Sequence, residues 1–418
     1  MKEVLITNDA VVFGLLMIIL GAIFKTNSSK HPFWVKFYGV VPAVLLCYFI
    51  PSVFNSLGVI SGDQSKLYFV ASRYLLPACL VLLTLGTDFK EISRLGSKAV
   101  IMFLTGTAGI VLGGPLAILL FAAIAPDVVG GSLDDMWRGM TTVAGSWIGG
   151  SANQAAMKEV FEVDDVMFSK MVTVDVLVAN IWMALLFIGV GKNKKINKWL
   201  QADDSSINDI RQKLETYRAS IAKIPSLNDL VMMLAIGFGA TGLAHWIADY
   251  VSPAIVELFP SLSESENPFS SLTSTFFWIV VSATTVGLIL SFTRYRSLEG
   301  AGASKIGSVF IYIIVATIGM KMDVLAILDA PELFLLGIVW MLVHIGLLLL
   351  VGKLIKAPFF FIAVGSQANV GGAASAPVVA SAFNASLAPV GVLLAVLGYA
   401  LGTYAAYFCG VLMKIAAL

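Results

Sequence analysis

The sequence predicts an all-α protein that crosses a membrane many times, and three observations support this. Apolar residue types make up 58% of the 418 residues, and charged types make up only 13%. The mean hydropathy is +0.89. The apolar residues are also collected into runs of membrane-spanning length. A soluble domain has about a quarter of its residues charged. This chain has too few charges to cover a water-facing surface, so we expect lipid to surround most of it.

The same composition weighs against several other classes of protein. The 27 basic and 26 acidic residues nearly balance, and no clustered basic face suggests a nucleic-acid partner. Cys47, Cys79 and Cys409 lie in apolar runs without the paired spacing of a disulfide framework or zinc site. No phosphate-loop motif and no large soluble segment is present, so ATP hydrolysis on this chain is not expected to drive it. Zinc-hydrolase and serine-hydrolase motifs are also missing, and we do not expect an enzyme or an organic cofactor.

Apolar runs predict the transmembrane helices. A helix needs about 20 apolar residues to cross the hydrocarbon core. Runs of roughly this length occupy 9–25, 37–57, 67–87, 97–125, 166–191, 228–251, 272–292, 304–320, 331–355 and 387–415. The first run lacks the small-residue cleavage pattern of a leader peptide, so we interpret it as the first transmembrane helix.

Three further segments interrupt this pattern. Residues 138–160 and 359–383 are apolar but rich in Gly, Ser, Ala, Asn and Gln. Residues 192–227 form a long hydrophilic segment between two halves. Within it, residues 207–224 place apolar side chains at helical spacing, which predicts an amphipathic helix on the cytoplasmic membrane surface. A plain linker is the alternative.

The two halves, residues 1–191 and 228–418, repeat the same landmarks in the same order. The motif of residues 84–88, which begins Thr-x-Gly and ends in Asp, has a counterpart at 317–323. A long apolar span follows each motif. Next come a Gly-Ser pair and a Gly-Gly pair, at 145–156 and again at 365–377. Any one of these matches arises easily by chance among apolar helices, but three in order indicate an internal duplication.

The basic loops predict the topology, because short loops rich in Lys and Arg stay in the cytoplasm. The basic loops are 25–36, 192–227, 293–305 and 352–357. If every stretch crosses and the N-terminus is outside, the segment 192–227 also lies outside. If 138–160 instead re-enters to the side from which it came, every basic loop is cytoplasmic. We therefore predict a re-entrant hairpin in a plasma-membrane protein with an external N-terminus, and broken crossing helices are the alternative.

Five crossings and one hairpin in each half would invert the second half relative to the first. Inverted repeats are typical of secondary transporters, whose binding sites lie near the bilayer midplane where broken helices meet. We expect the two hairpins to enter from opposite faces and to meet at their tips.

Polar residues beside the two Gly-Gly pairs form the candidate binding site. Backbone that leaves a helix at membrane depth is costly unless protein or a wet cavity satisfies it. Freed amides suit a carboxylate, and carbonyl or side-chain oxygens suit a sodium ion. Tight packing of small residues is the alternative. The candidate substrate-binding residues are Ser146, Gly149, Gly150, Ser151, Asn153, Gln154, Ser366, Gln367, Asn369, Gly371 and Gly372, and the candidate sodium ligands are Asn153, Gln154, Gln367 and Asn369.

Asp175 is the second candidate feature, because it lies in the middle of an apolar span. A charge at that depth costs about 2.5 kcal/mol or more and is functional by default. Asp175 either takes up and releases a proton or stays ionised as a cation ligand; a structural pairing with a neighbouring helix is the alternative. Thr173 and Asn180 on the same helix, with Thr84 and Thr317 in the repeated motif, are further candidates for ion or proton coupling.

The repeated motifs resemble a broad superfamily that includes bile-acid sodium symporters, glutamate and citrate sodium symporters and cation–proton antiporters. Within it, the whole chain is most similar to a bacterial membrane family, the domain-of-unknown-function family eight-one-nine. The resemblance implies an elevator mechanism, in which a moving core of residues 97–191 and 331–418 slides against a scaffold that forms a homodimer. It also implies that the region where helices cross and bind the cation and substrate includes Ser151, Asn153 and Gln154 in the first half, and Gln367 and Asn369 in the second. This sequence has no acidic residue inside either hairpin motif, so its cation chemistry need not copy relatives that have one.

The sequence thus predicts a secondary active transporter for a small polar solute that carries a carboxylate, such as an amino acid, short peptide or organic acid. We expect sodium ions or protons to be coupled to it. The polar residues are amides and hydroxyls rather than paired arginines, which argues against phosphate esters. A cation–proton antiporter with Asp175 as the carrier is one alternative, and a membrane-embedded enzyme or sensor is another.

Overall fold

A computed structural model describes residues 4–38, 41–124, 133–202, 207, 224–264, 266–322, 332–384 and 387–418. Within these ranges every regular element is helical, which confirms the predicted all-α class. The helices are α1 (Asp9–Asn27), α2 (Pro32–Tyr38), α3 (Ala43–Ser56), α4 (Leu67–Leu85), α5 (Phe89–Arg94), α6 (Ser97–Ile124), α7 (Leu133–Val160), α8 (Asp165–Gly191), α9 (Asn193–Leu200), α10 (Leu227–Leu258), α11 (Thr275–Ser291), α12 (Ala303–Gly319), α13 (Glu332–Leu354), α14 (Phe359–Val370), α15 (Gly372–Phe383) and α16 (Ala388–Ala417).

Several of the described helices are long and apolar enough to cross a membrane. They are α1, α4, α6, α8, α10, α13 and α16, and the pair α2 and α3 counted as one bent span would make eight. Helices α11 and α12 coincide with predicted crossings but have only 17 residues each. Such a helix is about 26 Å long, slightly less than the hydrocarbon thickness. The predicted amphipathic helix lies almost entirely outside the described residues. Asp323 also lies outside them.

Helix α7 is a hairpin and not a continuous rod. It turns at Gly150, whose φ of 74° and ψ of −174° are not helical. The rings of Trp137 and Phe161, at the two ends of the segment, lie 5.8 Å apart. A straight helix would separate them by about 36 Å. A Cβ added to Gly145 would lie 2.6 Å from the backbone oxygen of Asn153, so the two limbs touch. We name residues 133–161 hairpin A.

Helices α14 and α15 form a second hairpin. The chain breaks at Gly371 and Gly372, and Gly372 has a φ of 56° that favours glycine. The ring of Phe383, at the end of α15, lies 5.9 Å from Phe359 and 5.3 Å from Phe360, at the start of α14. Residues 359–383 are therefore named hairpin B. Both polar stretches therefore fold back as hairpins, and the topology argument predicts a hairpin for the first of them.

The bases of the two hairpins lie at opposite ends of the helix bundle. At the base of hairpin A, Trp137 lies under the Lys414 ammonium group, which donates to the Asn267 carbonyl oxygen. At the base of hairpin B, the Phe359 amide donates to the Asn197 side-chain oxygen at 2.8 Å. Helix α8 runs from the first base to the second, and its 27 residues span about 40 Å. The bases of the two hairpins therefore lie about one α8 length apart, at opposite ends of that helix.

Contacts between loops define the same two sides. We name the side of residues 25–36 and 192–202 the basic face, and the side of residues 159–165 and 257–264 the acidic face. On the basic face, Lys98 donates to the backbone oxygen of Lys356, and Lys353 donates to that of Trp199. Residues 192–202 and the predicted loop 352–357 therefore lie on one side, as the topology requires.

Helix α16 is the surface on which the two hairpins meet. A Cβ added to Gly398 would lie 2.9 Å from the backbone oxygen of Ile148 in hairpin A and 3.3 Å from that of Ala368 in hairpin B. One turn later, Gly402 packs against the backbone of Gly149. Small residues let these backbones approach closely. Gly149 therefore packs closely against α16, as the packing alternative expects for these glycines, and its neighbour Gly150 forms the break.

Replacing Gly145 tests whether contact between the limbs of hairpin A stabilises the protein. Gly145→Ala would place a methyl group against fixed backbone atoms, 2.6 to 2.9 Å away. We expect it to lower the free energy of unfolding by about 1–3 kcal/mol, the usual cost of overpacking. Gly242→Ala is the matched control, because its Cβ meets no described atom within 4 Å. Thermal unfolding in detergent should separate the two variants, and equal melting temperatures would contradict the hairpin contact.

Candidate functional site

A cavity of about 390 Å³ lies where the two hairpin tips meet. Gly150 of hairpin A and Gly371 and Gly372 of hairpin B all line it. Helices α3, α8, α12 and α16 complete the wall. The polar residues of the lining are Tyr48, Ser146, Ser151, Gln154, Asp175, Asn180, Ser308, Tyr312, Gln367, Ser375 and Tyr399. Its volume lies at the lower end of the range of small-molecule sites, about 300–1,000 Å³.

The cavity extends from the hairpin tips toward the basic face. Along α8 its lining begins at Asp175 and continues through Ala179 and Met183 toward the end of the helix at Gly191. Ala179 and Met183 are partly exposed, whereas Asp175 is buried. On α12 the lining residues Ser308 and Tyr312 lie in the first half and next to the midpoint of the helix, respectively.

Ion pairs close the opposite, acidic face. Glu159 of hairpin A binds Arg73 of α4 at 2.8 Å. Asp165, at the start of α8, binds Lys158 of hairpin A at 2.8 Å and Lys321, just after α12, at 3.0 Å. These ion pairs join hairpin A to α4 and α8, and they join α8 to the residues just after α12. We therefore expect the cavity to be reached from the basic face.

Asp175 is held by neutral hydrogen-bond donors from hairpin A. Its Oδ1 accepts from the Trp147 indole at 2.7 Å, and its Oδ2 accepts from the Gln154 amide at 2.9 Å. The Gln154 side-chain oxygen in turn accepts from the Tyr48 hydroxyl of α3 at 3.2 Å. Asp175 is only 5% exposed. Among the described residues that line the cavity there is no Lys, Arg or His to neutralise it.

Gln367 of hairpin B offers an unoccupied oxygen. Its side-chain nitrogen donates to the Ser375 hydroxyl at 2.7 Å. Its Oε1 is buried and has no hydrogen-bond partner among the described residues. Buried acceptors in proteins are almost always paired, so such an atom in a cavity wall indicates a missing ligand or water. Close by, α15 begins at Gly372 without a side-chain cap from its described N-cap residue, Gly371.

Asn153 and Asn369 do not line the cavity but anchor the hairpins. The Asn153 amide donates to the Gly149 carbonyl oxygen, and its Oδ1 accepts from the Thr403 hydroxyl of α16 at 2.7 Å. The Asn369 amide donates to carbonyl oxygens of α6 and α14, and its Oδ1 accepts from the Thr107 hydroxyl at 2.7 Å. Of the four candidate sodium ligands, the structure therefore places only Gln154 and Gln367 in the cavity wall.

Ser366 lies behind the cavity in a buried network. Its hydroxyl accepts from the Trp182 indole at 2.8 Å and contacts His344 Nε2 at 2.8 Å. His344 Nδ1 lies 2.9 Å from the Gly106 carbonyl oxygen, which can only accept. Nδ1 must therefore carry the proton, and Ser366 donates to Nε2. Each polar group has a partner, so this network positions hairpin B against α6, α8 and α13.

Three of the remaining coupling candidates also lie outside the cavity lining. Thr173, Thr84 and Thr317 are buried, and their hydroxyls donate to backbone oxygens of their own helices. The structure brings together these predicted residues around the cavity: Ser146, Gly150, Ser151, Gln154, Asp175, Asn180, Gln367, Gly371 and Gly372.

Sequence reasoning missed the hydroxyl groups that other helices contribute. Tyr48, Ser308, Tyr312 and Tyr399 face the cavity from α3, α12 and α16. The hydroxyls in otherwise apolar runs were the available signal, but nothing in the sequence indicates that those helix faces meet the hairpin tips.

Two opposed hairpins around a polar cavity, within a bundle of apolar helices, define a membrane protein with an internal ligand-sized site. The family model described as "Protein of unknown function (DUF819)" matches residues 14–416, so the chain belongs to this family. It is 26% identical over 380 residues to the "Uncharacterized membrane protein YjcL" of Bacillus subtilis (strain 168), covering 90% of each chain. That membrane description agrees with the multi-span structure.

Thiol labelling tests the one-sided access. Ala374 lines the cavity and is exposed, and the native Cys47, Cys79 and Cys409 are all buried. We expect a membrane-impermeant maleimide to label Ala374→Cys when it is applied to the basic face and not when it is applied to the acidic face.

The exposed positions Lys195 and Glu257, replaced singly by Cys, identify the basic and acidic faces in the same vesicles. Ser169→Cys, at a buried site on α8, is the unlabelled control. Labelling of Ala374→Cys only from the acidic face would contradict the access route.

Proposed function

We propose that this protein is a secondary active transporter for a small polar, carboxylate-bearing solute, coupled to sodium ions or protons. The observation that carries the proposal is the polar cavity formed by the tips of two hairpins whose bases lie at opposite ends of α8. Broken helices that meet in this way form the substrate sites of secondary transporters. A cavity with access from one face also suits alternating access, because its ligand must change sides.

The directions of α8 and α16 support the proposed inverted repeat of residues 1–191 and 228–418. Helix α8 follows hairpin A and runs to the base of hairpin B. Helix α16 follows hairpin B, and Lys414 near its end contacts the loop at the base of hairpin A. Corresponding helices of the two halves thus run in opposite directions, as an inverted duplication requires.

Contacts around the cavity also support the proposed elevator movement of residues 97–191 and 331–418 against the other helices. The Tyr48–Gln154 hydrogen bond and the ion pairs of Arg73 and Lys321 join these two groups of helices. Such polar contacts can break and re-form during sliding more readily than interdigitated apolar packing. A homodimeric scaffold in the plasma membrane, with an external N-terminus, completes the proposal.

Asp175 is the proposed coupling group. A charged carboxylate in the middle of a membrane span is costly and marks ion or proton pathways. Its described partners are neutral donors, so a proton or sodium ion that arrives through the cavity can neutralise it. The same property supports the second candidate, a cation–proton antiporter in which Asp175 carries the ions and no organic solute is needed.

Uptake into proteoliposomes tests the proposal. Radiolabelled amino acids, short peptides and organic acids are supplied under an imposed sodium or proton gradient. We expect uptake of at least one of them to depend on a gradient, and Asp175→Asn to reduce that uptake at least tenfold because the coupling charge is lost. Asp249→Asn, at an exposed position of α10, is the matched control and should retain wild-type uptake.

The outcomes separate the candidates. Sodium-driven proton movement without any solute, abolished by Asp175→Asn, would favour the antiporter. Uptake that depends on neither gradient and is unchanged in Asp175→Asn would contradict both transport mechanisms.

A further inference from the structure

The charges around the cavity narrow the class of solute. We infer that the protein binds a zwitterion of the α-amino-acid type, with its carboxylate at the N-terminus of α15 and its ammonium group between Gln367 and Asp175. This inference rests on the proposed transport function and deepens it, because it requires an ammonium group on the solute in addition to the carboxylate. It follows from three independent features of the lining.

The first feature is the charge balance. Asp175 is the one charged side chain among the described residues that line the cavity. A solute with only negative charge would place anion against anion, in a site where little water screens the repulsion. An ammonium group on the solute offsets this repulsion at Asp175 when the coupling proton or sodium ion is not bound there.

The second feature is the start of α15, where Tyr399 contacts the backbone amide of Ala373 and the N-cap residue provides no side-chain cap. The helix has 12 residues, and its described N-cap residue, Gly371, provides no side-chain hydrogen bond. Amides of the first turn and the helix dipole favour a negative group at this position. A Cβ added to Gly372 would meet no described atom within 4 Å, so there is open space beside this backbone. A carboxylate can occupy that space.

The third feature is the unpaired oxygen of Gln367, whose side chain is only 2% exposed. Its nitrogen donates to the Ser375 hydroxyl, and in this orientation of the amide Oε1 remains as an acceptor. The Gln367 oxygen lies one helical turn before the proposed carboxylate position. A hydrogen-bond acceptor there would disfavour the binding of a solute whose only polar group is a carboxylate. It suits an α-amino acid, whose ammonium group lies next to its carboxylate and has three N–H donors.

Asp175 supplies the second acceptor for this ammonium group. Ser146, Trp147 and Gln154 donate to its two oxygens, and a carboxylate has about four acceptor sites, so one site remains for the ammonium group. The proposed site therefore separates an anion-binding end, built from backbone amides of hairpin B, from a cation-binding end of side-chain oxygens.

Equilibrium binding to the purified full-length protein tests the inference without any gradient. The probes are the twenty common L-amino acids, succinate, and the N-acetyl and carboxamide derivatives of each amino acid that binds. We expect at least one amino acid to raise the melting temperature and to change the fluorescence of the protein, because Trp147 contacts Asp175. N-acetylation and amidation should each weaken its binding at least tenfold, and succinate should not bind.

Variants of the two acceptors sharpen the test. Asp175→Asn and Gln367→Met should each weaken amino-acid binding at least tenfold, and Asp175→Asn should also reduce the preference over the N-acetyl derivative. Ser381→Ala, at an exposed position of α15 outside the cavity lining, is the matched control and should bind like wild type. Size-exclusion chromatography verifies that each variant is folded.

Failure of this inference is distinguishable from failure of the transport proposal. Gradient-driven uptake of an organic acid, with no binding or competition by any amino acid, would overturn the inference and leave the transporter in place. Amino-acid binding with the expected specificity, but without uptake under either gradient, would overturn the transporter and support the inference. Tighter binding of succinate or of N-acetyl derivatives than of amino acids, or no binding of any probe, would overturn the inference.

Discussion

The structure depends on one constraint: backbone amides and carbonyls at membrane depth have no lipid partner, so a helix can break there only where protein or a wet cavity satisfies it. Two breaks, at Gly150 and at Gly371–Gly372, meet this condition together. Asn153 and Asn369 bond carbonyl oxygens near the breaks, and Thr403 and Thr107 of neighbouring helices bond their amide oxygens. Both breaks line the shared cavity, so the cavity is a consequence of the breaks.

This arrangement divides the polar residues of the hairpins into two kinds. One kind, typified by Asn153, Asn369 and Ser366, has every polar group paired with protein and fixes the hairpins in the bundle. The other kind, typified by Gln367 and Asp175, retains acceptor capacity toward the cavity. The distinction has a physical basis, since fully paired groups gain nothing from a ligand, whereas an unpaired buried acceptor gains a hydrogen bond.

The sequence was sufficient for the all-α membrane class, for most helices and for the positions of the two helix breaks. Apolar runs and Gly-Gly pairs report directly on lipid contact and on helix breaks, and the basic loops predicted that hairpin A folds back. Individual roles were harder to predict. Asn153 and Gln154 are neighbours of similar chemistry, yet only Gln154 faces the cavity, because the turn at Gly150 sets which side of the limb points inward. Tyr48 and Tyr399 were missed because tertiary packing brings their helices to the tips.

Helix α8 links the two hairpins through a pair of tryptophans. Near its middle, Asp175 accepts from Trp147 of hairpin A, and two turns later Trp182 donates to Ser366 of hairpin B. In the proposed elevator movement, α8 would therefore couple the displacement of one hairpin to that of the other. The two tips would keep their relative positions, and the site of a bound molecule would keep its shape while only the surrounding helices change.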